Sequence, residues 1–250
     1  MKRMTPSERV QQSGGRYATA LGIDLAGADA GERFKWLIAA LLYGARISET
    51  LATRTWHAFL EHGVMTPDAM VATGWDGVVA ILDAGGYVRY DYKTATKLIE
   101  VCTALLRDYG GSLDALHAAA AGPRDLEARI KALGKGIGDT TAAIFLRELR
   151  GVWRLADPPL SPLALAAART HGYLSPAAAD RNRALRALRT AWTADGERAD
   201  TFAEFETALV REGLRLRRLA TRRAARAIPA AGAGRRSRAS PAAPRKPGPR

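Results

Sequence analysis

The chain has 250 residues, 47% of them hydrophobic, and 38 Lys and Arg against 25 Asp and Glu give it a formal net charge of +13. That length supports one large domain or two small ones with a buried core. A single cysteine, Cys102, excludes a disulfide framework, a tetracysteine zinc site and an iron–sulfur cluster, because each needs several thiolates close together.

No stretch approaches the length of an apolar membrane span, and the N-terminal MKRMTPSERVQQSGG is not followed by a signal-peptide core. A soluble protein of a reducing, cytoplasmic compartment with no membrane partner is expected. In chain order, helical period dominates and no segment alternates as a strand would, so an all-α fold is predicted. Phe34 to Tyr43 is apolar nearly all round and reads as a buried helix. A second helix follows from Ile47 to Glu61, with Ile47, Leu51, Ala52, Trp56, Phe59 and Leu60 on its inner face. Trp75 to Ala84 reads as a short helix. Asp91 to Tyr109 reads as a longer one stopped by Gly110-Gly111, with Ser112 as the N-cap of the next.

From Arg124 to Leu133 the helical period holds, breaks at Gly134-Lys135-Gly136-Ile137-Gly138, and resumes from Asp139 to Leu149. This is helix, glycine-rich hairpin, helix. Glycines 136 and 138 permit positive φ and close approach of another backbone, and the N–H groups opening the second helix suit a phosphate. An ordinary hairpin turn would use glycine for the same steric reason. A Walker loop is excluded, since Lys135 is followed by Gly136 rather than Ser or Thr and no strand precedes. Helical segments continue over Leu160–Thr170, Pro176–Ala194 and Thr201–Arg226. Residues 211–250 carry 13 basic residues and a single acid, Glu212, leaving the first 210 nearly neutral. The end of the chain from Ile228, rich in Pro, Ala, Gly and Arg, should be a disordered basic arm that displaces counterions from phosphate or simply keeps the chain soluble. His57, His62, His117 and His171 form no close pair or Cys/His cluster, so no metal and no other cofactor is expected.

Gly136-Ile137-Gly138-Asp139-Thr140-Thr141-Ala142 resembles the hairpin core of the HhH-GPD superfamily of base-excision DNA glycosylases, which includes endonuclease III and the 3-methyladenine DNA glycosylases. Leu42-Tyr43-Gly44-Ala45-Arg46-Ile47-Ser48 is similar to that family's wedge-bearing segment, with Ala45 and Arg46 in place of two glutamines. Gly86-Tyr87 and the basic run Arg89 to Leu98 are similar to the turn and helix leading towards the hairpin. Leu155-Ala156-Asp157-Pro158 falls near the place of the family's catalytic aspartate.

The resemblance implies a bilobal helical fold. A segment 1–29 would pack on the second lobe, residues 30–153 would form a lobe containing the helix-hairpin-helix (124–150), 154–226 the second lobe, and 227–250 the basic tail. It also implies a monomeric, nucleoid-associated enzyme that flips a damaged or mispaired base out of double-stranded DNA and hydrolyses its N-glycosidic bond. Asp157 would stabilise positive charge developing on the sugar and position water, although Asp-Pro is also how a plain helix cap followed by proline reads. Lys135, Gly136, Gly138 and Thr140 would hold DNA phosphates and Arg46 would enter the gap left by the base. Among Trp36, Tyr43, Tyr87, Tyr90, Tyr92 and Trp153, the aromatics chosen for the base pocket are Tyr43 and Trp153. Thr140 stands where bifunctional members place a lysine nucleophile, so a monofunctional enzyme is expected over a lyase, with Lys131 and Lys135 touching phosphate or solvent. A non-catalytic DNA-binding relative is the rival reading.

Overall fold

The computed structural model describes residues 4–27, 29–177 and 180–227, and every regular element in them is helical. Residues Met1–Leu214 make one compact unit; a second begins at Arg215, and its described part is helix.

The core is built around α3 (Ala30–Tyr43), capped by Asp29, whose carboxylate accepts the Gly31 N–H at 2.7 Å. Phe34 and every residue from Trp36 to Leu42 are buried. A helix apolar on all sides must be enclosed on all sides, and α4 (Glu49–Glu61), α7 (Leu113–Ala118) and α9 (Asp139–Glu148) pack round it. Trp36 donates its indole N–H to the Phe145 carbonyl at 3.1 Å, which ties α9 to the central helix. Before α3 lie α1 (Pro6–Ser13), held by a Thr5–Glu8 capping box, and the single turn α2 (Tyr17–Ala20).

The predicted helices are present with instructive shifts. In α4 the Ser48 hydroxyl accepts the Leu51 N–H at 3.1 Å, so Ile47 lies outside the helix; Thr55 and Ala58 join the inner face, whereas Leu60 is exposed. The helix expected from Trp75 is the second half of α5 (Pro67–Ala84), whose first half starts at a Thr66 cap. Gly74, at φ +70°, breaks the helical course between the halves, a conformation open to glycine and costly for other residues. α6 (Asp91–Tyr109) has its predicted bounds and packs along α5. Ser112 caps α7 as predicted, with its hydroxyl accepting the Ala115 N–H.

α8 (Pro123–Ala132) and α9 enclose the hairpin. Beyond it follow α10 (Pro162–Thr170), α11 (Arg181–Ala194), a 3-10 turn (Ala199–Thr201) and α12 (Phe202–Ala227). Buried apolar residues from Tyr17 to Ala156 form one continuous cluster. Leu160, Leu165, Leu188, Trp192, Phe202 and Phe205 are buried outside it. The N-terminal segment divides between these two sets: α1 contacts α11, while Tyr17, Ile23 and Leu25 belong to the cluster around α3. Ala227 is still helical, and the basic arm expected from Ile228 lies outside the described residues.

Candidate nucleic-acid interface and the Asp157 pocket

The hairpin satisfies two different demands with its three glycines. A Cβ on Gly134 would lie 2.7 Å from the Val101 side chain, so α6 excludes one there; Gly136 sits at φ +88° and turns the chain. Gly138 is otherwise. Its φ is −91° rather than the positive value the sequence suggests, and a Cβ there would meet nothing within 4 Å. Neither backbone strain nor internal packing therefore requires a glycine at 138.

Gly138 also caps α9 without a side chain, and the first backbone bond of that helix runs from the Ala142 N–H to the Gly138 carbonyl at 3.1 Å. The N–H groups of Asp139, Thr140 and Thr141 consequently find no acceptor among the described residues. Lys135, Gly136, Gly138 and Thr140 are all exposed, while Ile137 is buried and pins the hairpin to the core. The result is an open, positively polarised helix start.

Arg46 is brought to the same place. A Cβ on Gly44 would fall 2.3 Å from the Thr141 hydroxyl, so the loop after α3 rests directly against the first turn of α9. Arg46 projects from that loop, exposed, and makes no ion pair among the described residues. Behind it Tyr43 is half-buried, its hydroxyl 2.8 Å from that of Thr53 and its ring 5.2 Å from Tyr17. Arg211 covers the Tyr17 ring at 3.8 Å and reaches Glu49 at 3.4 Å. Burial pushes the Tyr17 phenol up to about 12, against a smaller opposing pull from Arg211, and burial raises Tyr43 as well.

One lysine differs from its sequence assignment, and another enters without one. Lys131 lies at the surface but is not free for phosphate, because its ammonium bridges Glu127 and Asp139, each at 2.5 Å. Asp139, at the first position of α9 and with a side chain 91% exposed, is held below the usual carboxylate range mainly by that lysine. Lys97, which no motif singles out, lies with its stem under Gly136, 3.7 Å from where a Cβ there would be, and burial lowers its pKa. Its place in the basic run after Gly86-Tyr87 is the signal that could have found it.

Asp157 is not a helix cap. Ser161 caps α10 and Pro162 takes the first helical position. Asp157 instead joins a charged cluster in which the buried Arg150 donates to Asp157 Oδ1, to Glu206 Oε2 at 2.6 Å and to the Pro158 carbonyl, and Arg189 donates to the same Oδ1 at 2.8 Å. Oδ2 has no hydrogen bond among the described residues, and the side chain is 47% exposed. Arg150 and Arg189, together with Gly151, Thr193, Ala199 and Phe202, line a pocket of about 240 Å³. Asp157 stands beside this pocket behind its two arginines, not on its floor.

The base-pocket expectation for Trp153 fails on packing. Its ring is buried, stacked on His117 at 4.7 Å, and its N–H is spent on Asp114 at 3.0 Å. Trp36 and Tyr87 are core as well; Tyr90 and Tyr92 are exposed, together with Trp75. No known family model matches the chain, and no curated protein is similar to it.

Proposed function

We propose that this chain binds duplex DNA through a helix-hairpin-helix clamp formed by residues 134–140, assisted by Arg46. The observation that carries the reading is Gly138. A glycine that the chain needs neither for its φ nor for its packing stands at the mouth of a helix whose first N–H groups are unpaired, which is the steric room a phosphodiester requires. Lys135 supplies positive charge beside it, and contacts of this kind position a protein on DNA without reading its sequence.

The test is binding of a fluorescent blunt duplex by Gly138→Leu, which fills the open face at a φ that leucine adopts freely. Loss of charge-assisted hydrogen bonds to phosphate should weaken binding by about tenfold or more with helicity unchanged. Wild-type affinity in this variant removes the hairpin reading.

Base removal is the second reading, favoured by one feature: Asp157 is fixed by two arginines yet keeps Oδ2 open beside a pocket. The carboxylate would face the sugar carbon as the bond to the base breaks and direct a water to it. The same two guanidinium groups offset its negative charge, which weakens this role and favours binding without catalysis. Duplexes carrying alkylated, deaminated, oxidised or mispaired bases, treated with hot alkali after incubation, decide between them. Cleavage of one duplex that appears only with the alkali and is lost in Asp157→Asn establishes a monofunctional glycosylase; binding without base release leaves a DNA-binding protein.

A further inference from the structure

Trp75 and Tyr92 form an exposed aromatic pair at the start of α6. Their ring centroids are 5.2 Å apart at 42°, and the Trp75 N–H is fixed on the Thr96 hydroxyl at 3.0 Å. The side chains are nonetheless open, Trp75 by 39% and Tyr92 by 60%. The preceding loop adds to them. Tyr87 is buried and its hydroxyl accepts from Thr94 at 3.2 Å, which anchors the loop and turns Val88, Arg89 and Tyr90 outward, with the Arg89 guanidinium 5.3 Å from the Tyr90 ring.

Cations connect this cluster to the hairpin. Arg89, Lys93 and Lys97 follow at four-residue intervals, and Lys97 reaches Gly136. None of the three has an ion-pair partner among the described residues, nor has Lys135. Asp76 and Asp83 on the second half of α5 and Asp91, Glu100 and Asp108 on α6 are the acids of the same segments, Asp108 being paired with Arg107; Asp91 occupies the first turn of α6, where the helix dipole holds a negative charge. Open ring faces beside unpaired cations fit unpaired nucleotides, whose bases stack on aromatics while their phosphates follow basic side chains.

We propose that Trp75, Tyr92 and Tyr90, with Arg89, Lys93 and Lys97, form a stacking surface for single-stranded DNA that leads to the hairpin. The inference rests on the nucleic-acid reading above, but not on base removal. A strand released from a duplex held at the hairpin would reach this surface along α6.

The arrangement provides its own probe. Trp36, Trp56, Trp153 and Trp192 are buried, so stacking of a base quenches the emission of Trp75 alone. The full chain is titrated with (dT)20 and, separately, with a blunt duplex at several salt concentrations. Quenching by (dT)20 is expected in the wild type and not in Trp75→Phe, which keeps a ring for binding. Tyr92→Ala and Trp75→Ala should weaken (dT)20 binding by about 5- to 150-fold, the range for removal of one stack, and leave duplex affinity within twofold. Electrostatic attraction to the basic arm is common to all these proteins and cancels in the comparison.

Unchanged (dT)20 affinity in both alanine variants overturns the proposal, as does duplex binding with no single-strand binding; the hairpin reading survives either result. Failure of both DNAs to bind removes both. Single-strand binding that depends on the rings, without duplex binding, supports the stacking surface and removes the hairpin reading. Self-association abolished in Tyr92→Ala, with (dT)20 affinity unchanged, would identify the patch as an interface between copies of the chain and overturn the proposal.

Discussion

Arg150 and Arg189 donate to one oxygen of Asp157, yet their surroundings give the two interactions different weight. Arg150 is buried and also carries the buried Glu206, whereas the Arg189 side chain is 41% exposed. Removing one member of a buried pair strands the other charge, at a cost of about 3–5 kcal/mol. An exposed pair contributes up to about 1 kcal/mol. Urea unfolding should therefore show a large loss of stability in Arg150→Met and a small one in Arg189→Ala; equal losses would mean that Glu206 finds another partner. Tyr17 gives a pH dependence. Its phenol is neutral in the fold up to about 12 but ionises near 10 when unfolded, so its contribution is full below about pH 10 and is lost as pH rises through about 12. Cys102, pushed by burial from 9.0 to about 12, acts in the same sense. Stability followed by far-ultraviolet circular dichroism should fall across that alkaline window, and Tyr17→Phe should flatten the fall.

α9 presents both an attraction and an obstacle to an anion. Its unpaired N–H groups favour negative charge, but Asp139 already places a carboxylate at its first position, tethered to Lys131. Asp139→Asn removes that repulsion while leaving Lys131 paired with Glu127. Duplex affinity should rise several-fold at low salt and converge with the wild type near 1 M, where screening shortens to about 3 Å; a fall in affinity would mean that the carboxylate orders the helix start for binding. The elements were legible where local chemistry is complete. The period of α6, the Ser112 cap of α7 and the glycine break between α8 and α9 are all written in neighbouring residues. The first half of α5 was hidden because the break at Gly74 leaves it a short segment with little apolar period of its own, although Thr66-Pro67-Asp68 is a sound helix start. The site was legible only in part. Exposure of Lys135, Gly138 and Arg46 follows from hairpin and loop positions, but the bond from Trp153 to Asp114 and the Arg150–Glu206 pair join residues 39 and 56 positions apart. No local pattern announces them.

For the whole molecule, the separation of charge along the sequence sets the long-range behaviour. Most of the net +13 lies after residue 210, whereas the hairpin and α6 belong to the compact unit Met1–Leu214. Removing residues 228–250 deletes six basic residues. If these neutralise phosphates, the dependence of log affinity on log salt should become shallower by up to about 0.9 for each phosphate no longer neutralised; an unchanged slope would confine binding to the folded unit. The proposed association also carries an entropic cost, which the close approach of Gly44 to Thr141 would reduce. Because that packing holds the Arg46 loop against the first turn of α9, a strand bound as proposed on the hairpin would be oriented for Arg46 as well. The two proposed grips would thus give up their freedom of relative motion once, during folding, and not again at each encounter with DNA.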